Sequence, residues 1–146
     1  MKKLTIVLSI FVLLGIAIEA HAKPLSQTQL TFVKKVMRAA HNNDEQSLLS
    51  MMHTKSVACI KKDEKKYRRT MSLLSRIYGS TEKIESMQYI PTPEKEKSRI
   101  ENEMLSGHTS WPVVPTGRIK IERKGSRSFL ILTTENGKLR FVTGCP

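Results

Sequence analysis

Aromatic side chains make up only 5% of this 146-residue sequence: one Trp, three Tyr and four Phe. Tyr67 alone stands among the basic residues at 61–69, so the interleaving of aromatics and cations on which bases stack is missing, and nucleic acid is not the expected partner. Cysteine occurs twice, at Cys59 and Cys145, too seldom for the paired C-x-x-C spacing of a zinc site. H-E-x-x-H, G-x-S-x-G, a Walker loop and the dinucleotide fingerprint are also absent. No catalytic residue, metal site or cofactor is therefore expected. Beyond residue 18 the longest apolar run is 129–132, far short of the roughly 20 residues of a spanning helix, so the mature chain is expected to be soluble. Internal repeats and low-complexity tracts are missing as well.

What is present begins at the first residues. Lys2 and Lys3 precede a mainly apolar run at 4–18, and Ala20 and Ala22 follow in an A-x-A pattern. That order is the one of a secretory signal peptide, with cleavage expected between Ala22 and Lys23. The mature chain is then a single exported domain over 23–146, periplasmic or released to the medium. Removing Lys2, Lys3 and Glu19 leaves 23 basic and 12 acidic residues, a net charge of +11. Such an excess favours encounter with polyanions. In an oxidising compartment the two cysteines are expected to pair, closing a loop for which chain-entropy reasoning gives about 4–5 kcal/mol.

Helical spacing dominates the first half. Ser26 with Gln29 forms a capping box ahead of Leu30, Val33, Met37 and Ala40. Asn43 is the expected cap of a short second helix, with Gln46 at its capping-box position and Leu48, Leu49 and Met52 on its apolar side. Residues 57–60 read as a short strand or a buried turn. The third helix is expected from Asp63, with Tyr67, Met71, Leu74 and Tyr78 at helical spacing and Gly79 as a left-handed stop.

The second half turns to period two. Residues 83–90 read as a strand ended by Pro91 and Pro93. The charged segment 94–105 reads either as an exposed helix, with Thr92 as cap and Pro93 at its first position, or as a mobile excursion. Strands at 118–124, 128–134 and 138–143, separated by Gly-Ser and Glu-Asn-Gly turns, form an antiparallel meander. The middle one is apolar on both parities and so needs cover on both faces; Trp111 is the preferred cover, with a pocket or interface role as its alternative.

Three helices packed on a C-terminal antiparallel meander make an α+β fold. This order of elements resembles the cone-shaped nuclear-transport-factor-2-like fold, a resemblance that implies a pocket between helices and sheet but carries over no residue or activity. The alternative is another small disulfide-stapled α+β fold.

The strongest functional feature is the cluster Lys61, Lys62, Lys65, Lys66, Arg68 and Arg69. Cations at the positive end of a helix dipole run against local stability, which suits a site for an anionic partner. Lys34, Lys35 and Arg38 extend it if the first and third helices lie side by side. His41 and His53 flank the short second helix and could converge, but two imidazoles are an incomplete ligand set. The expected function is a noncatalytic, exported, basic binding protein that engages an anionic envelope component or an acidic protein. The alternatives are an enzyme with an acid or base in a cone-shaped pocket, and an accessory, assembly or immunity-type protein of the envelope.

Overall fold

The computed structural model describes residues 22–145. The expected signal segment lies outside the described residues apart from Ala22. Ala22 and Lys23, on either side of the expected cleavage, are exposed, and Lys23 exchanges two backbone hydrogen bonds of 2.8 Å with Tyr89.

The fold is α+β, with helices leading and strands following. Helices α1 (Gln27–His41), α2 (Glu45–Met51), α3 (Thr54–Ile60) and α4 (Glu64–Tyr78) precede strand β1 (Ile84–Pro91). Helix α5 (Glu94–Leu105) then separates β1 from the meander β2 (Gly117–Arg123), β3 (Ser126–Glu135) and β4 (Lys138–Phe141). The sheet is antiparallel throughout, in the order β1-β2-β3-β4. Among the described residues there are five helices, α3 being additional to the expected ones and α5 occupying the charged segment 94–105.

Local chemistry explains most boundaries. The Ser26–Gln29 capping box forms, each side chain accepting from the other's backbone N–H, at 3.2 and 2.9 Å. Asp63 caps α4 by accepting from Lys65 and Lys66 N–H at 2.9 and 3.2 Å. At the β3–β4 turn Asn136 and Gly137 both take positive φ, 51° and 73°, which matches the twist of a two-residue hairpin.

Four details differ from the sequence expectations. Residues 57–60 belong to α3, neither strand nor turn, because His53 caps the helix: its ring Nδ1 accepts from Lys55 N–H at 3.1 Å. Asn43 does not cap α2. At φ 53° it ends α1 instead, and Asp44 caps α2 by accepting from Ser47 N–H; a short amide side chain tolerates the left-handed region. Gly79 stays right-handed at φ −81°, and glycine is needed there because a Cβ would press on the carbonyl oxygens of Ser75 and Ala40, the latter at 2.8 Å. Segment 94–105 is helical, but its cap position is filled by Pro93 without a side-chain bond, while Thr92 N–H is spent on Thr116 O at 3.0 Å.

One core joins α1, α2, α4 and the inner sheet face through Val33, Val36, Leu48, Leu74, Ile119 and Leu130, all buried. On the outer face Ile131 shares a small cavity of about 60 Å³ with Ile100 of α5 and Trp111. Trp111 thus helps cover that face. Phe129 stays 39% exposed, with the Arg118 guanidinium 5.4 Å from its ring centroid.

Candidate functional site

The α3–α4 connection is short and fixed, because Lys61 closes α3 and Asp63 opens α4. Every member of the basic cluster, Lys61, Lys62, Lys65, Lys66, Arg68 and Arg69, is exposed along it. Arg68 pairs with Glu64 at 2.7 Å, but both side chains are more than two-thirds exposed, so the pair neutralises little of the cluster. The positive end of the α4 dipole adds to the same potential.

On α4 the residues Lys66, Arg69, Thr70 and Leu73 follow one another at helical spacing and face a hollow of about 420 Å³. Leu73 and Leu74 supply its apolar wall, Lys66 and Arg69 its cationic rim, and Ser110, Thr143 and Gly144 the opposite side. Leu73 is 41% exposed. The volume lies in the range of roughly 300–1,000 Å³ found for small-ligand sites.

The far wall is held against α3 by a ladder of contacts. His53 N–H donates to Phe141 O at 2.9 Å, Ser56 bonds the Thr143 backbone, and Cys59 is disulfide-linked to Cys145. Cys145 N–H in turn donates to Ser110 O at 2.5 Å. The expected disulfide therefore exists and helps to shape the hollow.

The rest of the expected cationic surface is placed differently. Helices α1 and α4 do pack together, and Lys34, Lys35 and Arg38 are exposed on α1. Lys35, however, lines a separate hollow of about 560 Å³ with Phe32, Met51, Lys138 and Leu139, which shares no lining residue with the first.

The two histidines are engaged in different places. His41 Nδ1 donates to Gly79 O at 3.1 Å, tying the ends of α1 and α4. His53 is buried, its Nε2 3.5 Å from Glu135 Oε1. The hydrogen bond from the Thr54 hydroxyl holds the Glu135 carboxyl below the usual carboxylate range, against the opposing effect of burial. Among the described residues no three His, Cys, Asp or Glu side chains are grouped to hold a metal ion, and no helix is long and apolar enough to cross a membrane.

Sequence reasoning located the cations but missed the hollow. Leu73 lies off the helical line of Tyr67, Met71, Leu74 and Tyr78, and that offset is the signal available in the sequence. Ser110, Thr143 and Gly144 carry no comparable mark. The chain matches no protein-family model, no curated protein and no solved structure, so the candidate site rests on its own geometry.

Proposed function

We propose that this chain is an exported, noncatalytic binding protein of the periplasm that engages an anionic envelope component through the α3–α4 corner. One observation carries this reading: six exposed cations, Lys61, Lys62, Lys65, Lys66, Arg68 and Arg69, lie beside a hollow whose wall is Leu73 and Leu74. The cations supply attraction at a distance, and the apolar wall favours a partner with an apolar part next to its charge, as a lipid has. An acidic protein is the alternative partner.

Vesicles containing phosphatidylglycerol, vesicles of phosphatidylcholine and soluble polyglutamate separate these cases. Binding to the anionic vesicles that weakens steeply with salt supports the proposal. Binding to polyglutamate but not to vesicles moves the partner to an acidic protein. Binding to phosphatidylcholine equal to that of the anionic vesicles sinks the electrostatic reading.

A further inference from the structure

Arg123 ends β2 on the inward-facing positions that begin with Gly117, Ile119 and Ile121, and it is only 5% exposed. A guanidinium stays charged at any pH a folded protein meets. Removing that charge from water without a counter-charge is costly, and buried arginines normally have a carboxylate or several acceptors. Among the described residues the Arg123 side chain forms no ion pair, and its Nε is fully buried without an acceptor.

A second unmatched group lies beside it. Ser128 Oγ is also buried with no partner. Ser128 pairs with Ile121 and Arg123 pairs with Ser126, so Ser128 is the diagonal cross-strand neighbour of Arg123 on the same face. Tyr78 packs near them and donates to Phe129 O at 2.6 Å. Burial pushes its hydroxyl up to about 12, with the Arg123 charge opposing, so that edge of the site stays an uncharged O–H. Arg123 also lines a hollow of about 440 Å³ with Glu85, Glu122, Gly125, Ser126 and Arg127. Glu122 is already engaged by Ser86 at 2.7 Å, Lys120 at 3.0 Å and Arg127 at 3.4 Å, which leaves it little capacity for Arg123.

We infer that Arg123 anchors a small oxyanion site, taking a carboxylate or phosphate group, at the β2–β3 end of the sheet. The flat guanidinium fork matches two oxygens of such a group, and the buried Ser128 Oγ lies on the same face behind the residues that line the hollow. The hollow has no large apolar wall, so the ligand is small and polar. The site is distinct from the cationic corner, because the two hollows share no lining residue.

The test is thermal unfolding of the whole protein in chloride, with inorganic phosphate or acetate replacing part of it at constant ionic strength. Wild type, Arg123→Met, Arg123→Lys and Lys65→Gln are compared. The inference expects phosphate or acetate to raise the wild-type and Lys65→Gln melting temperatures by roughly 5 °C, and whichever anion acts identifies the group. Arg123→Lys should lose most of that rise, because the fork is gone. Arg123→Met should lose all of it, yet melt in chloride at or above the wild-type temperature, since an uncompensated buried charge has been removed. Equal rises in wild type and Arg123→Met, no rise in wild type, or an Arg123→Met protein that is less stable in chloride would each overturn the inference.

Discussion

The hydroxyl of Ser56 meets the backbone of Thr143 twice, donating to its carbonyl at 3.1 Å and accepting from its N–H at 3.3 Å. Ser56 is completely buried. A single side chain from α3 thus satisfies both backbone groups of a residue that has left β4. It does so between the His53–Phe141 contact and the Cys59–Cys145 disulfide.

Ser56→Ala removes both bonds and takes the side-chain partner from both backbone groups of the half-buried Thr143. The expected loss is about 1–3 kcal/mol, read from chemical denaturation. A loss no greater than that of a surface serine substitution, such as Ser72→Ala, would show that water reaches Thr143.

The disulfide closes a separation of 86 residues, for which the chain-entropy model gives at most about 4–5 kcal/mol. The Cys59→Ser, Cys145→Ser double variant should lose stability of that order, and the intact wild type should be two hydrogens lighter than its reduced form. Denaturation with and without reductant, together with intact mass, checks both statements.

Gly79 sits where α4 ends against the last turn of α1. A methyl group there meets the Ala40 and Ser75 carbonyls, which are backbone and cannot rotate aside. Gly79→Ala should therefore cost about 1–3 kcal/mol, although φ at this residue is ordinary for any amino acid. The melting temperature measures it.

Glu135 joins α3 to the β3–β4 hairpin by its contacts with Thr54, His53 and Arg140. Its folded value is depressed, first of all by the Thr54 hydroxyl. The folded state therefore binds this proton less readily than the unfolded chain. The resulting stability is present above the ordinary carboxylate range and is lost as pH falls through the depressed folded value. Glu135→Gln should flatten this part of the acid limb in a plot of stability against pH. An unchanged acid limb would show that Glu135 titrates alike in both states.

The parts of the fold legible in the sequence are those with long periodic patterns or strong caps: α1 with its capping box, α4 behind Asp63, and the meander with its Asn136–Gly137 turn. Helix α3 was not legible because seven residues are too few for a stripe, because Val57 and Ile60 favour strands, and because its cap is a histidine ring. Gly79 was recognised as a stop for the wrong reason, since close approach of α1 to α4 is a tertiary fact. The candidate site divides in the same way. Its cations are adjacent in sequence and visible there, whereas its hollow joins 66–74, 110 and 143–144, segments that only the ladder from α3 to the C-terminal segment brings together. Arg123 was unmarked because its burial depends on its register at the end of β2.

The most direct test of the account is vesicle binding by wild type and by the triple variant Lys61→Gln, Lys62→Gln, Lys65→Gln, whose three side chains are all exposed. At about 1 kcal/mol per cation near an anionic surface, the variant should bind phosphatidylglycerol-containing vesicles about 100-fold more weakly at low salt, with a shallower salt dependence and a melting temperature no lower than that of wild type. Equal affinity of the two proteins would contradict the assignment of the α3–α4 corner as the site.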